Sequence, residues 1–324
     1  MVQSEPATAA CEPAASSFDL VFVDGAFVAA PDARLSIKAN AVSYGTGTFE
    51  GMRATWNEQH RELYLLEPLA HYERMQRSAK ALGLTLPHAP GDLVDITVEL
   101  LRRNQARQNA YVRPILLLSG EVLPVRMHDI QTSFSIAASL FPTGYLNANG
   151  IRALVSSWRR TPDSTMPIRA KVIGSYVGAA LAKTEAARAG LDEAILLTVD
   201  GSVAEATTSN IFIRRADTWI TPAVTEDILE GITRRQVSEL ILDGGGTVIE
   251  RSVDRSELYV CDEAFLCGTV VQVSPLIEVD RRPIGDGCAG RQTRELAEAL
   301  RVIARGESKS HQQWSTAVWS DAGR

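Results

Sequence analysis

The sequence has few lysines, few cysteines and no long apolar run. Only five of its 33 basic residues are lysine. The four cysteines form no CxxC pair, which argues against a zinc site and against a disulfide framework. No apolar stretch reaches the length of a membrane span, and the N-terminus lacks the basic and apolar regions of a signal peptide. We therefore predict a protein of the reducing cytoplasm, without a metal or a membrane partner.

The charge balance excludes a further class of partner. The net charge is -6 and the sequence contains no dense Lys/Arg run, so no nucleic acid is expected to bind. The 324 residues are 45% hydrophobic and 22% charged, as in an ordinary soluble globular protein. This length allows one large domain or two moderate ones.

Composition along the chain predicts two domains. Residues 1–17 are rich in Ala, Ser, Pro and Glu and are predicted to be a disordered leader. Residues 143–150 are rich in Gly and Asn and are predicted to be an interdomain linker. A small N-terminal domain is then expected over residues 18–142 and a larger C-terminal domain over residues 151–324.

Periodicity predicts that strands and helices mix in both halves. Tyr111 and Arg113 belong to one predicted strand and should share a face of it, because strand side chains alternate. The glycine-rich run 40–56 allows two interpretations, bends in a strand or points of close backbone approach to a ligand. The predicted strands are 110–118, 133–141, 151–158, several within 193–222, and 264–274 interrupted at Gly268-Thr269; a hairpin is predicted at 18–29, and helices at 69–82, 91–104, 175–189, 231–242 and 291–305.

Lys171 is the first candidate for chemistry. It lies between a predicted strand and a helix of small residues, a junction from which a side chain can project into a cleft. A lysine kept neutral by burial or by a nearby cation can form a Schiff base with an aldehyde cofactor. The alternative is a solvated loop lysine, which is the usual fate of this residue type.

The motifs around Lys171, taken in order, resemble those of the branched-chain amino acid aminotransferases, within the fold-type IV pyridoxal-phosphate enzymes. The similarity covers about residues 18–305. It includes Ala170-Lys171 with Tyr176, Glu205-x-x-x-x-Asn210-Ile-Phe, Glu230-Gly231-Ile-Thr-Arg and Cys267-Gly268-Thr269. The resemblance implies an α/β (α+β) fold of two domains, the larger with a β-barrel-like core. It also implies pyridoxal 5'-phosphate as the cofactor and a homodimer or higher homo-oligomer.

The resemblance implies a catalytic role for Lys171, which would form the Schiff base and then move the substrate proton. Glu205 would pair with the pyridine nitrogen and keep the ring an electron sink. Arg74 would bind the phosphate through its fork of donors, and residues at a helix N-terminus would add to this anion site. Taken alone, Glu205 could instead be an exposed turn glutamate, and Arg74 could be a solvated arginine on a helix face. The implied cofactor-binding residues are Arg74, Lys171, Tyr176, Glu205, Thr208, Leu229, Ile232, Thr233 and Thr269.

The resemblance also implies a substrate pocket that accepts both an acid and a hydrocarbon. Arg113 would bind the side-chain carboxylate of glutamate or 2-oxoglutarate beside an aromatic wall, and the amides of Thr269 and Val270 would hold the α-carboxylate. The implied reaction is transamination between a branched-chain or related aliphatic L-amino acid and 2-oxoglutarate, in amino-acid biosynthesis. The implied substrate-binding residues are Tyr44, Phe49, Tyr111, Arg113, Thr269 and Val270.

Four departures from the family pattern surround the expected substrate pocket. The identity of the preferred amino acid is therefore not determined by the resemblance. Segment 120–126 lacks the expected Gly-x-Gly loop and adds Arg126, and the others are Thr143, Val270 and Gln272. Three rival functions are a lyase of the same fold resembling aminodeoxychorismate lyase, a D-amino acid or R-amine transaminase, and a degenerate partner subunit. The Phe49-Glu50-Gly51-Met52-Arg53 and Tyr111-Val112-Arg113 patterns disfavour the first two, although Arg126 keeps the D-amino acid and R-amine transaminases open. The intact cofactor set disfavours the third.

Overall fold

The computed structural model describes residues 18–141 and 149–320. The predicted leader lies outside the described residues. So does all of the predicted linker except Asn149 and Gly150.

The first half of the chain forms an antiparallel sheet with two long helices beside it. Its first hairpin turns at Asp24 and Gly25, both of which adopt positive φ, so the predicted hairpin is confirmed. The elements are β1 (Leu20–Val23), β2 (Ala26–Ala29), α1 (Asn40–Tyr44), β3 (Gly47–Phe49), β4 (Met52–Asn57), β5 (Glu62–Leu66), α2 (Pro68–Ala81), α3 (Pro90–Arg103), β6 (Ala110–Leu118) and β7 (Thr132–Leu140).

The second half of the chain forms a larger mixed sheet and contributes its last strand to the first sheet. Its elements are β8 (Ile151–Arg159), α4 (Tyr176–Arg188), β9 (Glu193–Leu197), β10 (Val203–Ala206), β11 (Asn210–Arg215), β12 (Thr218–Pro222), α5 (Ile232–Asp243), β13 (Thr247–Arg251), β14 (Glu263–Gly268), β15 (Gln272–Val279), β16 (Arg282–Pro283), α6 (Arg291–Ala304) and β17 (Ser315–Ala317).

The two sheets have distinct strand orders. The first is β17-β5-β4-β6-β7-β1-β2, with β3 paired to β6. The second is β10-β9-β8-β15-β14-β11-β12-β13, with β16 paired to β15. In the second sheet β8 runs parallel to β9 and β15, and β12 runs parallel to β13, while the other pairs are antiparallel. The mixed α/β class predicted from the sequence is confirmed.

Helices cover each sheet through buried apolar side chains. Tyr72 and Met75 of α2 join Leu93 of α3 in the core of the first sheet, and all three are fully buried. Under α5 and α6, the rings of Phe212 and Phe265 stack with centroids 4.9 Å apart. Each such side chain contributes about 1.5–3 kcal/mol when it is withdrawn from water.

Short elements were missed or misjudged by periodicity. Residues Asn40–Tyr44 form a helix of one turn, which ends at Gly45 in the left-handed region with φ 65°. The sequence predicts no helix in this run, only a strand with possible bends. A five-residue helix is too short to show a period of 3.6. Strands β5, β13, β16 and β17 were also not predicted, since they are short and some are largely exposed.

The end of the chain returns to the first sheet. Strand β17 pairs antiparallel with β5, so Ser315 lies opposite Leu66. The buried carboxylate of Glu62 accepts hydrogen bonds from the backbone amides of Val318, Trp319 and Ser320, at 2.7–3.0 Å. The predicted division of the chain by a linker at residues 143–150 stays a prediction. The structure shows in addition that the last strand, β17, belongs to the first sheet.

Candidate active site

One cavity is lined by sixteen residues, and these include all nine residues predicted to bind the cofactor. Some of the nine predicted residues come from α2, from the loop before α4 and its first residue, and from β10 and the turn after it. The others come from the loop before α5, from the start of α5 and from the turn after β14. The remaining lining residues are Arg160, Thr207, Ser209, Asn210, Gly231, Cys267 and Gly268.

The backbone of Lys171 is fixed by contacts from distant elements. Its amide N–H donates to the hydroxyl of Ser78 on α2 at 3.0 Å. Its carbonyl oxygen accepts from the hydroxyl of Thr48 at 2.9 Å and from the amide of Phe49 at 3.2 Å. The loop that carries Lys171 is therefore anchored to the first sheet and to α2, although it leads into the second.

The amine of Lys171 lies against two aromatic rings. Its Nζ is 2.6 Å from the hydroxyl of Tyr176, 4.9 Å from the ring centroid of Phe49 and 5.1 Å from that of Tyr176. The two rings pack edge to face with centroids 4.8 Å apart. The amine and the phenol are thus presented together to the cavity.

Glu205 is a buried carboxylate with a partner on each oxygen. Its Oε1 forms an ion pair with Nη2 of Arg160 at 2.9 Å. Its Oε2 accepts from Nδ2 of Asn210 at 3.0 Å and from the amide of Leu229 at 3.2 Å. Burial raises the pKa of Glu205, and the positive charge of Arg160 is the largest influence that lowers it again.

Gly231 is required next to this carboxylate. A Cβ at position 231 would lie 2.1 Å from Oδ1 of Asn210. Asn210 also donates to the carbonyl of Leu229 at 3.0 Å, so it connects β11 to the start of α5. Any side chain at position 231 would displace the asparagine that orients Glu205.

Arg74 is held by a carboxylate that the sequence analysis did not single out. Its Nε and Nη2 donate to the two oxygens of Glu50 at 2.6 and 2.8 Å, and its Nη1 donates to the carbonyl of Glu230 at 3.1 Å. Nδ1 of His71 lies 2.7 Å from Oε2 of Glu50. Burial alone would raise the pKa of Glu50, but Arg74 and His71 outweigh it and hold that pKa well below its usual range.

Donors suited to a phosphate line the cavity. Ile232 and Thr233 begin the twelve-residue helix α5, whose free amides and dipole favour an anion. Arg74 and Thr269 line the same cavity. Lys171, Glu205 and this anion site are the groups that could hold the aldehyde, the ring nitrogen and the phosphate of pyridoxal phosphate. Among residues 18–141 and 149–320, no group of His, Cys, Asp and Glu side chains could hold a metal.

Beside Lys171, an arginine lies on an aromatic surface. Nη2 of Arg113 donates to the hydroxyl of Tyr111 at 2.9 Å, so the two side chains share a face of β6 as predicted. The guanidinium carbon is 4.5 Å from the ring centroid of Phe49. A Cβ at Gly51 would lie 1.9 Å from the Tyr111 hydroxyl. Gly51 is thus a point of close approach to a side chain.

Arg53 is a further buried cation on this side. Its Nη1 donates to the carbonyl of Val270 at 3.2 Å, and its guanidinium carbon lies 4.2 Å from the ring centroid of Phe141. Burial lowers the pKa of Arg53 to about 10. The motif Phe49-Glu50-Gly51-Met52-Arg53 also assigns Arg53 to the substrate side, and this role stays a prediction.

Two residues considered for the substrate pocket lie at the surface of the chain. Tyr44 is 38% exposed, and its hydroxyl donates to the carbonyl of Leu123 at 2.7 Å. Arg126 is exposed in the same stretch after β6. The departure noted at Thr143 lies outside the described residues.

Known proteins resemble this chain in sequence over most of its length. The model of the family "Amino-transferase class IV" matches residues 47–279. A probable branched-chain-amino-acid aminotransferase of Aquifex aeolicus is 42% identical over 308 residues, which are 94% of this chain and 98% of that protein. The branched-chain-amino-acid aminotransferase of Escherichia coli is 32% identical over 302 residues, which are 91% of this chain and 96% of that protein.

Solved structures give the same result. The branched-chain aminotransferase of Thermoproteus uzoniensis with norvaline has a TM-score of 0.89 and 38% identity, over 94% of this chain and 100% of that one. The branched-chain amino acid aminotransferase of Thermobaculum terrenum, in its PLP-bound holo-form, has a TM-score of 0.89 and 30% identity, over 94% of this chain and 100% of that one. These similarities do not favour the lyase or the D-amino acid and R-amine alternatives.

Proposed function

Since the chain belongs to the class IV aminotransferases, and within them to the branched-chain aminotransferases, we propose that it transfers the amino group of a branched-chain or related aliphatic L-amino acid to 2-oxoglutarate. Pyridoxal phosphate is its cofactor and transamination is its reaction. The choice of substrates, and the roles of the individual residues below, are the proposal.

Pyridoxal phosphate, when bound, supplies an aldehyde that condenses with amines and a ring that withdraws electrons from the substrate. Lys171 would hold the aldehyde carbon and would carry the proton at the substrate α-carbon. Its position supports this role, because Nζ lies in the cavity 2.6 Å from the Tyr176 hydroxyl. Tyr176 would orient the amine and donate to the phenolic oxygen of the cofactor.

Other residues of the cavity would hold the ring nitrogen and the phosphate. Glu205 would pair with the ring nitrogen as an anion, and its own partners keep it from rotating. Arg74, Thr233 and Thr269 would bind the phosphate, with the amides at the start of α5. Thr208 and Leu229 also line the cavity and would contact the cofactor.

The observation that carries the substrate proposal is the placement of Arg113 over Phe49. An apolar wall and a cation share one small region beside Lys171, so the region suits a hydrocarbon chain in one half of the reaction and a carboxylate in the other. The guanidinium of Arg113 has five N–H donors and uses one of them on the hydroxyl of Tyr111. Its other donors could bind the carboxylate of a dicarboxylic acid.

An exposed apolar surface supports the proposal of a homodimer. Ile37 is 84% exposed in the first of two neighbouring segments, residues 35–44, where Leu35 and Val42 are also exposed. Leu123 and Val125 are 87% and 80% exposed in the second, the loop of residues 121–126. The two segments are neighbours, since the hydroxyl of Tyr44 donates to the carbonyl of Leu123. Apolar side chains exposed together mark an interaction surface, and a second copy of the chain would cover this one. Arg126 lies in the second segment and is a candidate to reach the partner's pocket.

We place the enzyme in the cytoplasm. Cys261 and Cys267 are free, buried thiols, which suits a reducing compartment. None of the helices within the described residues is long and apolar enough to span a membrane.

A half-reaction screen tests the proposal. The purified enzyme with its cofactor is mixed separately with L-leucine, L-valine, L-glutamate, D-alanine and a primary amine, and the loss of the cofactor's visible absorbance is followed. L-leucine or L-valine and L-glutamate should each convert the cofactor. Conversion by D-alanine or the amine alone would overturn the assignment.

A further inference from the structure

Arg160 lines the cavity and forms an ion pair with Glu205. It directly follows β8, and its side chain is only 11% exposed. Its Nε donates to the carbonyl of Asp227 at 3.1 Å, and its amide donates to the carbonyl of Leu197 at 2.8 Å. The second contact fixes the backbone and the first fixes the side chain, and Nη2 lies 2.9 Å from Oε1 of Glu205.

Glu205 needs such a partner because it is buried. A carboxylate withdrawn from water takes up a proton unless a cation or hydrogen-bond donors offset the loss of hydration. Asn210 and the amide of Leu229 occupy Oε2, and Arg160 is the partner of Oε1. Lys171 and Arg74 line the same cavity and also favour the anion, though less than Arg160 does, while the buried thiol of Cys267 faces it without a charge at neutral pH.

From this geometry we infer that Arg160 is a positioning residue that keeps Glu205 ionised and oriented toward the ring nitrogen of the cofactor. The inference rests on the proposed role of Glu205. A protonated Glu205 could not hold a proton on the ring nitrogen, so the ring would withdraw electrons less strongly. Arg160 thus acts on the reaction through Glu205, without touching the substrate.

The location of Arg160 also joins the ring-nitrogen site to the loop before α5. Asp227 and Leu229 belong to that loop, and each bonds to one member of the Arg160–Glu205 pair. The same loop leads into Ile232 and Thr233 at the anion site. Loss of Arg160 should therefore weaken cofactor binding as well as slow the reaction.

The test compares Arg160→Gln and Arg160→Lys with the wild type, and uses Arg159→Gln as the matched control. Arg159 is the neighbouring arginine, but it is exposed and bonds to the carbonyls of Ser156 and Ser157. Two quantities are measured: the affinity of the apoenzyme for pyridoxal phosphate, and the rate of the L-glutamate half-reaction from pH 5 to pH 10. Circular dichroism verifies that each variant is folded.

In Arg160→Gln, burial of Glu205 is no longer offset, so its pKa should rise further. The acid limb of the pH–rate profile should then move about 1–3 units toward higher pH, with a loss of roughly 10²-fold at pH 7 that is largely recovered at pH 9 to 10. Arg160→Lys should move the limb by less than half as much, and Arg159→Gln should not move it. Cofactor affinity should fall at least about 10-fold in Arg160→Gln only.

A uniform loss of rate at every pH, without a shift of the limb, would show that Arg160 is merely structural and would overturn the inference. Glu205→Gln separates this failure from that of the proposed function. If Glu205→Gln turns over like the wild type, the role proposed for Glu205 is wrong. If it loses about 10²-fold but Arg160→Gln leaves both the limb and the cofactor affinity unchanged, only the inference about Arg160 fails.

Discussion

The Nζ atom of Lys171 lies 2.6 Å from the hydroxyl oxygen of Tyr176, and no other lysine lines the same cavity within the part of the chain that the structure describes. Lys171→Ala should therefore abolish covalent attachment of the cofactor and lower the turnover rate by about 10⁴-fold or more, because both the Schiff-base amine and the proton carrier are lost. Borohydride reduction followed by peptide mass spectrometry locates the attachment. Lys80→Ala, a change at an exposed helix position, is the control and should stay yellow.

Arg113 lies on the aromatic rings of Phe49 and Tyr111, and its removal should separate the two substrate classes. Arg113→Ala should raise KM for 2-oxoglutarate roughly 30- to 150-fold, since a charge-assisted contact contributes about 2–3 kcal/mol. The leucine half-reaction should change only a few-fold.

Steady-state kinetics with both substrates distinguish the roles of the two arginines. Arg126→Ala and the double variant test whether Arg126 reaches the partner's pocket. If it does, the double variant alone shows the full loss of 2-oxoglutarate binding; if it does not, the double variant behaves like Arg113→Ala. Equal damage to the leucine and 2-oxoglutarate reactions in Arg113→Ala would mean that Arg113 holds the α-carboxylate or the fold instead.

The ion pair of Glu50 and Arg74 should make stability depend on acid pH. The pKa of Glu50 is lower in the folded protein than in the unfolded chain, so its contribution is present above about pH 4.3 and is lost as the pH falls toward the folded value. Glu50→Gln should destabilise the apoenzyme by about 3–5 kcal/mol at pH 7, because Arg74 is left buried and unpaired.

Urea unfolding of the apoenzyme at pH 7 and at pH 3.5 measures this dependence. The difference between wild type and Glu50→Gln should shrink at the lower pH, where the wild-type carboxylate has lost part of its advantage. Glu73→Gln, on the exposed side of α2, is the matched control and should have no such effect. A difference that is the same at both pH values would contradict the assigned charge of Glu50.

Glu62 should decide whether the end of the chain stays on the first sheet. Its carboxylate accepts three amide hydrogen bonds from Val318, Trp319 and Ser320, and a fourth from Leu63. Glu62→Ala should expose residues 315–320 to protease and lower the free energy of unfolding by about 2–4 kcal/mol, since buried amides lose their acceptor. Limited proteolysis with mass spectrometry follows the cleavage. Glu58→Ala, at an exposed position in the same hairpin, should leave the C-terminal segment protected.

The sequence alone was enough to assign the fold class, the cofactor and the reaction. Helices such as α2 and α3 repeat their apolar residues at a period that identifies them without tertiary information, and β6 was predicted at its observed bounds. Each cofactor motif is also local, so that Ala170-Lys171 or Glu205 with Asn210 can be recognised within a few residues. The structure brings all nine predicted cofactor residues to one cavity, while their individual roles stay predictions.

Only the tertiary structure decided which polar side chains meet across long separations in the chain. Arg160 and its neighbour Arg159 look alike in sequence, but the pairing of β8 with β9 and the course of the loop at Asp227 turn only Arg160 onto Glu205. Glu50 becomes the partner of Arg74, and Glu62 that of the chain end, for the same reason. The ionisation of a buried side chain depends on the groups that the fold places within hydrogen-bond distance of it. The pattern of residues near it in the sequence does not show which groups these are.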